Sequence, residues 1–106
     1  MEQILVYITA PDQETGRRIG EALLEARLAA CVNILPQVQS MYWWDGAIER
    51  DTETVVLAKT VKALFEPLKA CVLGVHPYEV PCVVAVGLDH GHDPFLRWIG
   101  EQVRSR

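Results

Sequence analysis

Three observations predict an α+β sandwich. Apolar residues recur with strand-like, then helical, spacing in the order β-α-β-β-α-β, and a third helical stretch closes the chain. Asp45-Gly46 splits the longest extended run as a two-residue hairpin turn, because Gly accepts the positive φ that such a turn needs. The chain has 106 residues, 50% of them hydrophobic, which is the size and composition of one domain over residues 1–106. Each β-α-β half crosses over right-handedly. The compact solution is a ferredoxin-like βαββαβ sandwich with an extended β-hairpin and an additional C-terminal helix: a four-stranded antiparallel sheet with two helices on one face.

The elements follow in order. Ile4, Leu5, Val6, Tyr7, Ile8 and Thr9 are β-rich and nearly all apolar, as in a buried central strand. Pro11 and Asp12 open a helix, since Pro tolerates the first turn and an acid there complements the dipole. Ile19, Leu23, Ala26 and Ala30 recur at helical spacing, with Ala22 beside them, and charged residues fill the other face. A second strand begins at Cys31. Pro36 cannot donate a ladder hydrogen bond, so a bulge or an edge position is expected there. Extended structure resumes from Val38 to Trp44, turns at Asp45-Gly46 and returns from Ala47 to Thr60. Val61, Leu64, Phe65, Leu68 and Val72 form the stripe of a second helix, and Gly74 suits its end. Pro77 and Pro81 each push their predecessor out of the helical region, so residues 76–81 are expected to be extended. Residues 82–86 read as the fourth strand. Asp93-Pro94 offers the N-cap and first residue of a third helix with Phe95, Leu96, Ile99 and Val103 on its apolar face.

Bulk properties exclude several functions. The net charge is −4, and no run of Lys or Arg occurs, which argues against binding nucleic acid through its phosphates. No apolar stretch approaches the roughly 18 residues of a membrane helix, and the start of the chain lacks the pattern of a signal peptide. Three cysteines, odd in number and far apart, are no disulfide framework and fit a reducing cytoplasm.

The hairpin is too long for its body. Residues 31–44 would span roughly 46 Å when extended, whereas a compact chain of this length has a diameter of about 34 Å. Either the hairpin bends or its tip protrudes. Met41, Tyr42, Trp43 and Trp44 face Ala47 and Ile48 there. Exposed, they form an apolar patch of the kind that marks an interface. Three aromatics in a row reach both faces of the ribbon, which favours assembly over folding back. The sheet's open face adds to the apolar surface that a neighbour would cover.

At this point the residues resemble a known family, the CutA-like divalent-ion tolerance proteins. The resemblance rests on Thr9-Ala10-Pro11-Asp12, on Leu28-Ala29-Ala30-Cys31-Val32-Asn33-Ile34-Leu35-Pro36 and on Ser40-Met41-Tyr42-Trp43-Trp44-Asp45-Gly46. Lys59-Thr60, His76-Pro77-Tyr78-Glu79-Val80-Pro81 and Trp98 extend it along nearly the whole chain. It implies a ferredoxin-like fold, a homotrimer whose sheets meet edge to edge, and tolerance of copper and other divalent cations. Two departures matter: Cys82 stands where members with a proposed metal site carry Glu, and Ile8 where some carry Cys.

His76, Cys82 and Cys31 are accordingly the candidate metal ligands. Imidazole and thiolate suit copper or zinc, and Cys31 matches the family's Ala-Cys position. His76 and Cys82 lie up to about 20 Å apart if the segment between them is extended, so they share an ion only if the chain turns back or a second subunit supplies one of them. The structural reading is that His76 and Tyr78 are loop residues hydrogen-bonded at an interface, and that Cys31 and Cys71 are small buried hydrophobes. Residues 89–93, Asp-His-Gly-His-Asp, carry four ligand-type side chains in five positions. The plainer account is that Asp93 caps a helix and Gly91 makes a turn. Glu49, Asp51 and Glu53 alternate along one strand as a solvated face. No catalytic motif is present; a Cys-His pair brought together by the fold is the one enzymatic arrangement left open. The alternative to metal tolerance is a PII-like signalling or interaction trimer, without enzymatic activity, that binds a small ligand in clefts between subunits.

Overall fold

A computed structural model describes residues 2–105. Four strands and three helices follow one another as β1 (Gln3–Ala10), α1 (Gln13–Glu25), β2 (Cys31–Trp44), β3 (Ala47–Val61), α2 (Phe65–Val75), β4 (Val83–Gly87) and α3 (Asp93–Gln102), with a 3₁₀ turn at Lys62–Leu64 before α2. The sheet order is β2-β3-β1-β4, with every neighbouring pair antiparallel. This is the ferredoxin-like arrangement that the pattern of periodicities predicts.

Side chains alternate across the sheet. Ile4, Val6, Ile8 and Ala10 of β1 and Val56 and Ala58 of β3 join Ile19, Leu23, Leu64, Leu68 and Val72 of the helical layer in one buried core. Within it the Thr60 hydroxyl has no hydrogen-bond partner among the described residues. An unpaired buried hydroxyl costs roughly 1–3 kcal/mol. Thr60→Val, which keeps the shape, is therefore expected to stabilise the fold by about 1 kcal/mol, read as a higher urea midpoint. A lower midpoint would mean that the hydroxyl is satisfied.

The helix ends depart from the sequence reading in instructive ways. Asp12 caps α1 from outside it: its Oδ1 accepts the Thr15 amide at 2.8 Å. That bond holds the carboxyl below its ordinary pKa. The helix stops at Glu25, so Ala26 and Ala30 lie beyond it. Arg27 takes a left-handed φ of 57°, its amide bonds the Leu24 carbonyl, and that of Leu28 bonds the Leu23 carbonyl. This double closure is one that glycine usually provides. Arg27 is held instead by its own contacts: its Nη1 donates to the Gln102 carbonyl at 2.9 Å, and its carbonyl accepts the Arg104 amide. Gly74 ends no helix; α2 continues to Val75, and His76 closes it with its amide on the Val72 carbonyl. Asp93 is the first residue of α3 rather than its cap. His92 occupies the cap position, and no side chain caps that end.

The hairpin behaves as its length requires. The register between β2 and β3 shifts between Leu35 and Val38, so Pro36 and Gln37 together oppose Thr54. Gln37 takes a φ of 59° at this bulge. Asp45 and Gly46 both have positive φ, 51° and 79°, and join Trp44 directly to Ala47. The molecule measures 44 × 27 × 21 Å, longer than a compact chain of this size. The tip does not fold back: Met41 is 72% exposed, Trp43 73% and Trp44 61%.

The face of the sheet away from α1 and α2 is only partly covered. Gln3 lies on that face, and its side chain donates to the Leu96 carbonyl. Ile99 is fully buried yet stands outside the core on the other side. Helix α3 therefore lies across this second face. Tyr7, Leu35, Val84 and Val86 remain exposed on the rest of it.

Candidate functional site

Residues 76–81 leave α2 and cross the end of β1. They bend at 78–80 instead of running straight, because His76 pins the start of the segment. Its Nε2–H donates to the Thr9 carbonyl at 2.7 Å, and its Nδ1 accepts the Tyr78 amide at 3.1 Å. A carbonyl needs a donor and an amide needs a lone pair, so these partners select the neutral imidazole protonated on Nε2. The His76 and Tyr78 rings lie 4.8 Å apart, tilted by 50°. Both ring nitrogens of this buried histidine are thus engaged by the chain's own backbone.

Cys82 follows the loop and precedes β4. Burial, and then the nearby Glu53, push its thiol above the ordinary pKa. Glu53 also adjoins Tyr78, whose hydroxyl is raised first by burial and then by Glu53 and Asp51. Farther out, Tyr42 donates to Asp51 Oδ2 at 2.5 Å, and that bond pushes the phenol up to about 12. Carboxylates of the hairpin therefore reach the loop end of the sheet. Spacing alone reads Glu49, Asp51 and Glu53 as a solvated face and does not show these contacts. The signal was available: the Asp45-Gly46 turn sets Tyr42 opposite Glu49, which makes Asp51 its diagonal neighbour on the same face.

Cys31 is elsewhere. It pairs with Lys59, which pairs with Leu5, which pairs with Val86. Cys82 sits one residue before Val83, which pairs with Ile8. Three strand spacings and four residues along the strand separate the two thiols, roughly 20 Å. All three cysteines are free. Among the described residues no group of three or more His, Cys, Asp or Glu is placed to hold a metal ion. Imidazole and thiol are donors suited to copper, but one chain does not gather His76, Cys82 and Cys31 around a point.

An open cleft of about 380 Å³ lies at the bulge, lined by Pro11, Asp12, Gln13, Pro36, Gln37, Thr52, Glu53 and Thr54.

A ferredoxin-like sheet, a β2–β3 hairpin that outgrows it and a His-Pro-Tyr loop locked to the end of β1 define a narrow class of small α+β proteins. A family profile described as CutA1 divalent ion tolerance protein matches residues 4–102. The chain belongs to the CutA1 divalent ion tolerance family. It is 45% identical over 101 residues to the divalent-cation tolerance protein CutA of Thermus thermophilus, covering 95% of this chain and 97% of that one. It is 38% identical to the chloroplastic protein CutA of Arabidopsis thaliana, covering 96% of this chain and 56% of that one. The chain thus spans little more than half the length of that plant relative. The solved structure of the periplasmic divalent cation tolerance protein CutA from Archaeoglobus fulgidus superposes with a TM-score of 0.92 at 42% identity, over 96% of this chain and 99% of that one. The family profile and the Thermus and Archaeoglobus descriptions speak of tolerance to divalent ions or cations. Among the described residues no helix is long and apolar enough to cross a membrane.

Proposed function

We propose that this protein is a homotrimeric divalent-cation tolerance protein of the cytoplasm that binds copper or a similar divalent cation where subunits meet. The observation that carries the reading is the hairpin tip. Met41, Trp43 and Ile48 crowd one face of a ribbon that protrudes from the body, while Tyr42 and Trp44 crowd the other. Two apolar faces call for two neighbours, and a cyclic arrangement supplies both to every subunit. The donors in this reading are His76 and Cys82 at one end of the sheet and Cys31 brought by a neighbour. His76 ligates through Nδ1 on giving up the Tyr78 amide. The ion displaces the proton that burial holds on Cys82, as metal binding to thiols requires. Free cysteines support a reducing compartment.

Calorimetric titration with Cu²⁺ under anaerobic conditions tests the proposal. Binding at micromolar affinity or tighter, weakened at least tenfold in a Cys31→Ala/His76→Ala/Cys82→Ala variant, is the expected result. Equal binding by the two proteins would remove the proposed donors from the site.

A further inference from the structure

We propose that α3 is a strap that opens from the second face of the sheet while the rest of the fold stays closed, and that Arg27 is its latch. Arg27 acts as a positioning residue: it caps the end of α3 from the end of α1.

Little apolar surface holds this helix. Of its 10 residues only Ile99 is buried, whereas α1 buries Thr15, Gly16, Ile19, Gly20 and Leu23. An element with so little burial belongs to the low-stability end of a fold and opens before the remainder. The Gln3 side chain ties the start of α3 through the Leu96 carbonyl at 2.9 Å. The end of α3 has no such provision of its own. The last carbonyls of a helix have no partner within it. No basic residue stands in the last turn, and Glu101 sets a negative charge where the helix dipole is already negative.

Arg27 supplies what is missing. Its Nη1 donates to the Gln102 carbonyl at 2.9 Å, which brings a cation and a charge-assisted bond to the negative end of α3. Its own carbonyl accepts the Arg104 amide at 2.9 Å, so the chain just beyond α3 is held on the same residue. Arg27 does this from a φ of 57°, a conformation that glycine adopts freely and an arginine does not. A residue kept in a sparsely populated conformation points to a role for its side chain. The two demands on position 27 oppose each other: the end of α1 favours glycine, and the end of α3 requires arginine. When α3 opens it uncovers the part of the sheet around Gln3. Leu5 lies on that face by strand alternation, and the exposed Tyr7, Val84 and Val86 continue it. The open form therefore offers a larger apolar face than the closed one. The proposal requires neither the trimer nor the donors of the preceding section.

Amide hydrogen exchange of the full chain tests this, with urea unfolding as the second readout. In the parent, residues 97–102 should exchange faster than Val6 and Ile8 of β1. In Arg27→Gly they should exchange about fivefold faster again, the worth of one well-placed charge at a helix end. The urea midpoint of that variant should hold or rise, because glycine relieves the backbone at the end of α1. Arg27→Lys keeps the charge without the planar fork and should restore part of the protection. A purely local role for position 27 predicts the reverse for α3, with glycine as good as arginine or better. Exchange of residues 97–102 in step with β1 in the parent, or no faster in Arg27→Gly than in the parent, would overturn the proposal.

Discussion

In the homotrimer proposed above, replacing Trp43 and Trp44 together with Asp is expected to reduce the sedimenting species from about three chains of 11.9 kDa to one. Both indoles are more than half exposed in the single chain. A buried Trp removes about 200 Å² from water, which at roughly 25 cal/mol per Å² is worth on the order of 3–5 kcal/mol per residue per subunit. Two carboxylates in their place would enter the same contacts without partners. The substitutions lie beyond the core, so far-ultraviolet circular dichroism and the urea midpoint of the dissociated chain should remain those of a folded protein. A trimer that survives the double substitution would move the interface away from the hairpin. A parent chain that sediments as a monomer would remove the assembly altogether.

The second large effect concerns Gly16. On a helix exposed to water, Gly→Leu gains nearly 1 kcal/mol in propensity. Here a Cβ would stand 2.9 Å from Thr54 Cγ2 and 3.4 Å from Val56 Cγ2. Thr54 and Val56 are β-branched, buried and held in the sheet by pairing with Ala10 and Ile8, so neither side chain can swing aside. Gly16→Leu is expected to destabilise the fold by about 3 kcal/mol, the upper range for overpacking a core. Gly74 is the internal control, because nothing lies within 4 Å of its Cβ position. Gly74→Ala should stabilise by about 0.5 kcal/mol. Urea unfolding of the two variants decides the matter; a Gly16→Leu protein as stable as the parent would mean that α1 can lift from the sheet.

The candidate site was less legible than the fold. His76 stood out as a possible ligand, yet its imidazole is committed to the Thr9 carbonyl and the Tyr78 amide. No spacing announces a bond to a backbone atom 67 residues away. Cys31 and Cys82 were likewise visible only as residue types. Their separation follows from sheet order, which places β2 and β4 at opposite edges.

The sequence by itself determined the order of the elements, the bulge at Pro36, the turn at Asp45-Gly46 and the excess length of the hairpin. Each is a local matter: a missing amide, a required φ, a rise per residue. Only the tertiary structure decided where α1 stops, since Arg27 holds a left-handed backbone by gripping the end of α3. It alone showed that Gly16 serves close approach to Thr54 of the sheet. It also showed His76 locked by backbone partners, the Thr9 carbonyl and the Tyr78 amide. Those outcomes depend on which distant atoms meet, and residue spacing does not contain that information.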